Sequence, residues 1–193
     1  MNHKHFDELA DSWQRPSGIF IIAEIGGEVG QWVREIQREY DPKLAGSLPP
    51  HLTLVGSSGL GPIPGSTTTQ QLKAALAPIA ASTPPMTIEL QRPVRFLQTD
   101  IVVLPMDPYG LIRQLHDRIG ASGLSFGPVR YAFTPHITLN FYRTLTASQR
   151  RSLLALTAPG PCTIDHLRCS KTNDPLPPQS VIEFTLDGVS REP

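Results

Sequence analysis

The sequence predicts a mixed helix-and-strand fold built twice over, as one lobe duplicated into two that face each other across a groove. Three observations carry this. The pentapeptide Pro-His-aliphatic-Thr-Leu occurs twice, at residues 50–54 in PPHLTLVG and at 135–139 in TPHITLNF. The order strand, helix, motif strand, helix, strand can be read once before residue 100 and again after it. The two motif histidines, His51 and His136, are 85 residues apart (136 less 51). That spacing is too long for a solenoid period and suits a duplicated lobe.

The elements follow in order. GIFIIAEI, 18–25, is apolar and β-branched, as a buried strand requires. Val29, Trp32, Val33 and Ile36 recur at helical spacing over 29–40, and Asp41-Pro42 ends that helix because proline cannot continue it. HLTLVGSS alternates as a strand, and GSSGLGPIPGS is a connector after it. TTTQQLKAALAPIAAS is a helix with Leu72, Leu76 and Ile79 inward. MTIELQRPVRF is a strand broken near Pro93. The second copy begins with DIVVLPM as a strand. PYGLIRQLHDRIG, 108–120, is a helix with proline at its start and glycine at its end. HITLNFYR, 136–143, is the second motif strand. TASQRRSLLALTA is a helix, and CTIDHLRCSKT and SVIEFTLDG are strands. The expected organisation is a single bilobal domain over 1–193, with repeats at about 18–97 and 100–188.

Composition narrows the function. Apolar residues make up 39% of the chain, enough for a packed core. No apolar run is long enough to span a membrane, and MNHKHFDELADSW lacks the apolar stretch of a secretory signal. The expectation is a soluble, cytoplasmic protein, a monomer with no membrane partner. Lys plus Arg and Asp plus Glu are both 17. A grip on long duplex nucleic acid needs a basic surplus, so the balance favours a small nucleotide or a short RNA end. Two cysteines, Cys162 and Cys169, fit a reducing compartment. They bracket His166, but on one strand position 166 points opposite to 169, so no metal site is expected there.

The motif itself suggests chemistry. Residues two apart on a strand share a face. His51 and Thr53 therefore point one way while Leu52 and Leu54 anchor the core, and His136 with Thr138 repeats this against Ile137 and Leu139. Of two histidines titrating near neutrality, one can be neutral while the other is protonated. That is what concerted general base and general acid catalysis needs. The two threonine hydroxyls can donate to the non-bridging oxygens of a phosphate held between them. Such a site performs in-line displacement at phosphorus without a metal.

The paired motifs HLTL and HITL, with the repeated element order from about Ile19 to Leu186, resemble the 2H phosphoesterase superfamily, marked by two His-x-Thr/Ser motifs. The resemblance implies an α+β fold with two mostly antiparallel sheets around a central groove and helices on the outside. It implies catalytic roles for His51 and His136, phosphate contacts for Thr53 and Thr138, and no cofactor. It also implies a phosphodiesterase acting on a 2′,3′-cyclic phosphate or a 2′-5′ linked nucleotide or RNA end. The alternative is a module that binds a nucleotide or RNA end in the same groove without turnover.

Further candidates flank the second motif. Tyr142 shares the motif face if the strand stays regular and can stack on a base. Arg143 lies on the opposite face unless the strand ends. Arg130, in the loop before the motif, can clamp a phosphate, and Tyr131 or Phe133 can stack on a base. GSSGLGPIPGS lacks the Lys-Ser/Thr of a P-loop. His116 is expected on a helix surface, His166 at a polar strand position, and His3 and His5 in a frayed terminus.

Overall fold

The computed structural model describes residues 17–129, 131–173 and 176–189. Arg130, His3 and His5 lie outside them. Nine strands are described: β1 (Gly18–Glu24), β2 (His51–Val55), β3 (Met86–Ile88), β4 (Val94–Arg95), β5 (Val102–Pro105), β6 (His136–Asn140), β7 (Cys162–Ile164), β8 (His166–Asn173) and β9 (Leu176–Thr185). The helices are α1 (Gly27–Tyr40), α2 (Pro42–Ala45), α3 (Thr69–Ala81), α4 (Leu111–Gly120) and α5 (Ala147–Leu154).

The fold is α+β, with two antiparallel sheets. The larger has the order β4-β5-β6-β2-β1-β8-β9, and the smaller pairs β3 with β7. Corresponding strands of the two halves pair with each other: motif strand β2 with motif strand β6, and β3 with β7. The two motif strands are thus neighbours within one sheet. Their ladder is a single pair, Leu52 opposite Ile137, whereas β1 and β2 share four positions.

Alternation explains the core. Ile21, Ala23, Leu52, Leu54, Ile137, Leu139 and Leu104 project from one face of the sheet into a cluster with Val33, Leu72, Leu76, Ile112, Leu115 and Leu153 of the helices. Leu52, Leu54, Ile137 and Leu139 are fully buried, and each contributes roughly 1.5–3 kcal/mol of hydrophobic stabilisation. The periodicities of α1 and α3 place their apolar residues inward as expected. Both α3 and α5 open with the same capping box, Thr68 with Gln71 and Thr146 with Gln149. Each threonine side chain accepts from the third backbone N–H of its helix, and each glutamine side chain accepts from the cap's N–H.

Several boundaries depart from expectation for local reasons. The helix expected over 108–120 starts at Leu111, because Asp107 accepts from the Tyr109 N–H at 2.9 Å and makes a turn of the preceding residues. CTIDHLRCSKT is two strands, not one: the chain leaves the small sheet after Ile164 and enters the large one at His166. MTIELQRPVRF divides the same way, into β3 and β4. The glycine-rich connector is pinned to β1. Ile63 exchanges two backbone hydrogen bonds with Ile19, at 2.8 and 2.9 Å.

Candidate active site

β2 and β6 repeat one another in detail. Both have His, Thr and the intervening apolar residue in the same burial sequence, with the fourth and fifth residues both buried. Simple alternation fails at the fifth residue, and the ladders show why. Ile21 faces Val55 while Ile22 faces Thr53, so Leu54 is an extra residue. Val102 faces Asn140 while Val103 faces Thr138, so Leu139 is its counterpart. A bulge at the same motif position in each half sharpens the local twist and re-aims the adjoining side chains.

The histidines are fixed identically. The Nδ1 of His51 lies 2.7 Å from the Pro49 carbonyl oxygen, and that of His136 lies 2.6 Å from the Thr134 carbonyl oxygen. A carbonyl only accepts, so Nδ1 carries hydrogen in both rings and Nε2 is the atom left for proton transfer. Burial pushes both imidazoles below the ordinary histidine value, against the raising effect of these carbonyl bonds. His51 is lowered further by the positive charge of His136, so the two rings sense each other.

Apolar residues floor the site. Ile22 pairs with Thr53 and Val103 with Thr138. Both are almost fully buried, yet neither belongs to the main core cluster. They lie on the motif face, where a low dielectric strengthens hydrogen bonds to a bound anion. Phe20 packs against the backbone of Gly56, just after β2. A Cβ there would sit 2.0 Å from the ring at a φ of +148°, so glycine is required.

The surroundings of the two histidines differ. Glu24 stands across from His51 and Pro105 stands across from His136. Arg168, across from Ile22 on β8, pairs with Glu24 and with Glu183, the latter at 2.8 Å. On the other side, Phe96 makes an edge contact to the His136 imidazole at 5.2 Å between centroids, and Val94 pairs with Val103. Sequence reasoning missed Glu24, Phe96 and Arg168. Glu24 was visible as the last alternate residue of β1, but Arg168 and Phe96 reach the motif face only through pairing that the sequence does not declare.

Other candidates fare differently. Strand β6 ends at Asn140, so parity does not place Tyr142. The backbone N–H groups of Phe141 and Tyr142 donate to the buried carboxylate of Asp41, at 2.8 and 2.7 Å, and turn the chain away. The Tyr142 ring lies under the Lys43 ammonium at 4.3 Å. Arg143 is exposed beyond the strand end. Tyr131 is exposed, but Phe133 is buried and stacked on His116 at 3.8 Å, so it is not free to stack on a base. His116 is therefore buried, not on a helix surface, because the loop through Gly59 and Phe133 covers α4. His166 is exposed beside Asp165. Among the described residues no group of three or more His, Cys, Asp or Glu side chains is placed to hold a metal, and no helix is long and apolar enough to cross a membrane.

The chain is similar to known proteins in sequence and in fold. The chain is 30% identical over 115 residues to a Geobacillus kaustophilus protein named "Putative phosphoesterase", covering 58% of this chain and 61% of that protein. A like-named protein of Geobacillus thermodenitrificans is 31% identical over the same length. The chain thus matches less than two thirds of these relatives. Among solved structures, the protein TT0787 of Thermus thermophilus gives a TM-score of 0.57 at 20% identity, covering 88% of this chain and 98% of that one. E. coli LigT complexed with 3′-AMP gives 0.53 at 21%, covering 89% and 98%. Likeness at these identities is likeness of fold. The family model of the 2′-5′ RNA ligase superfamily matches residues 26–175, both motif strands included, and the chain belongs to that superfamily.

Proposed function

We propose that the protein is a metal-independent phosphodiesterase that hydrolyses a 2′,3′-cyclic phosphate or a 2′-5′ linked nucleotide or RNA end. The observation that carries this reading is the duplicated histidine, each ring held by Nδ1 on the carbonyl two residues before it and each with a threonine two residues after it. Binding alone needs no pair of titrating groups fixed in the same tautomer, so hydrolysis is favoured over a binding module. The phosphate sits over the two paired motif strands, its non-bridging oxygens accepting from the Thr53 and Thr138 hydroxyls.

One histidine must be neutral and the other protonated. Burial lowers both rings, and the charge of His136 lowers His51 further, so the two do not carry protons together readily and either can serve as the neutral partner. The Nε2 of the neutral ring takes a proton from the attacking water, while the Nε2–H of the protonated ring donates to the leaving ribose oxygen. The P–O bond to water forms as the P–O bond to ribose breaks, leaving a phosphomonoester, and the two histidines have exchanged protonation states. Family resemblance points to the 2′-phosphate as product from a 2′,3′-cyclic substrate. The test is turnover of nucleoside 2′,3′-cyclic phosphates in the presence of EDTA. Hydrolysis that survives the chelator supports the reading. Binding without turnover favours the binding module, and loss of turnover with EDTA favours a metal-dependent enzyme.

A further inference from the structure

The apolar stripe of a helix is a poor place for a glutamine. Helix α1 turns Val29, Gly30, Val33 and Ile36 inward, and Gln37 stands in the same stripe, buried, one turn after Val33. The Gln37 amide lies 2.8 Å from the Thr138 backbone carbonyl oxygen. A carbonyl only accepts, so the amide nitrogen Nε2 is the donor. Its Oε1 is then left inside the protein with no hydrogen-bond partner among the described residues. A buried unpaired acceptor is destabilising, and an apolar residue would fill the place without it. One turn further on, Asp41 accepts from the Phe141 and Tyr142 N–H groups at 2.8 and 2.7 Å. The end of α1 thus grips β6 on both sides of Leu139, at 138 and at 141–142.

Thr138 needs such a grip because the sheet supplies little of one. Toward β2 the ladder is the single pair Leu52–Ile137, one residue short of Thr138. Toward β5, Thr138 stands opposite Val103, and the register breaks at once: Leu139 is the extra residue and Asn140 stands opposite Val102. A bulge disrupts the ladder and frees the local backbone to twist. Here the peptide at that point joins Thr138 to Leu139, and Gln37 holds its carbonyl. Because the peptide is planar, holding the carbonyl sets the Thr138 ψ angle and ties the direction of its Cα–Cβ bond to the helix. Resting on the hydrolase reading above, we infer that Gln37 is a positioning residue for the reaction. From the core side of the sheet it sets where the Thr138 hydroxyl stands over the phosphate, without touching the substrate. It acts through Thr138 and not through Thr53.

The test is a double-mutant cycle on the hydrolysis of adenosine 2′,3′-cyclic phosphate. Gln37→Met keeps the length and the helix propensity and removes the donor. Misplacing a group at a reacting centre by about 1 Å can cost a hundred-fold, so the smaller shift expected here should lower kcat by about ten-fold. The variant exchanges an orphaned Oε1 for an unpaired carbonyl, so its melting temperature should move by less than about 3 °C. In a Thr138→Val background the same substitution should change kcat by less than about two-fold, because the hydroxyl it directs is gone; in a Thr53→Val background the loss should again be about ten-fold. A residue that only packs would slow all three backgrounds alike. Gln37→Leu repeats the cycle with a second apolar shape. The inference is overturned if kcat is unchanged in Gln37→Met, or if the loss is the same with and without the Thr138 hydroxyl. It is also overturned if neither Gln37 variant folds, which would mark the residue as structural. In each of these cases the wild type still turns over and the hydrolase reading stands. If the wild type hydrolyses no cyclic phosphate, the hydrolase reading fails and this inference falls with it.

Discussion

Replacing His51 or His136 by alanine removes an acid–base group and little else. Each ring contributes one hydrogen bond to a backbone carbonyl, at 2.7 and 2.6 Å, and such a bond adds about 1 kcal/mol net. The core on the other face, Leu52 and Ile137 included, is untouched. The melting temperature should therefore fall by about 2–4 °C for a chain of this size. Turnover should fall about a hundred- to ten-thousand-fold, the usual cost of losing a general acid or base, or roughly 3–5 kcal/mol of activation free energy. The two effects differ enough to separate chemistry from folding. The double variant should be scarcely slower than either single one, since both groups act in one step. Both imidazoles are pushed down by burial, so the kcat/KM profile should be a bell on the acid side of pH 6.5. Its rising limb belongs to one histidine losing a proton and its falling limb to the other losing one. In His136→Ala the neighbouring charge is gone, and the His51 limb should move to higher pH. The assay is hydrolysis of a 2′,3′-cyclic nucleotide beside thermal melts of each variant. A single variant with wild-type turnover, or a double variant equal to the product of the singles, would refute the paired mechanism.

The remaining predictions concern the threonines, stability and reactivity. Thr53→Val and Thr138→Val keep the shape and delete one phosphate donor each, so they should slow hydrolysis less than the histidine variants. His51, His116 and His136 all have folded pKa values lowered by burial. Their contribution is complete above about pH 6.5 and is lost as pH falls through the lowered values, so urea midpoints should drop between pH 7 and pH 5; equal midpoints would contradict this. Asp41→Ala strands the N–H groups of Leu44, Phe141 and Tyr142 and should cost about 3 kcal/mol by urea denaturation. Burial raises the thiols of Cys162 and Cys169 to about 11 and about 12, so iodoacetamide at pH 8 should label neither in the folded protein and both in urea; rapid native labelling would show the burial to be wrong.

The motif strands and the repeated order were legible because strand alternation writes itself in the sequence. The inward faces of α1 and α3 were legible for the same reason, through helical spacing. Where local reading stopped, tertiary contact had decided. Nothing in SFGPVRYAFTPH says that Phe133 will stack on His116, because the two meet only after the loop through Gly59 folds over α4. Tyr142 followed strand parity until Asp41, 101 residues away, drew its N–H out of the ladder. The bulges at Leu54 and Leu139 left no mark in the pattern of apolar residues, which is the same with or without them. Glu24 and Arg168 are far apart in sequence, and their pairing depends on β8 returning beside β1. The repeated Thr-x-x-Gln at residues 68–71 and 146–149 was a local signal that could have strengthened the case for duplication.

The pairing of β1 with β8 has a consequence for how the chain reaches this state. Gly18 lies opposite Thr172, and the Thr172 hydroxyl reaches the Gly18 carbonyl from 154 positions away. During synthesis, β1 and β2 can form a hairpin-like pair early, but the other edge of β1 must wait for nearly the whole chain to emerge. Contacts so distant in sequence slow folding. Until β8 arrives, Ile19, Ile21 and Ile22 stand on an open strand edge, which is a template for pairing with another nascent chain. Slow refolding with losses that grow with protein concentration is the behaviour this topology entails, and a brief hold by a chaperone at the β1 edge would relieve it.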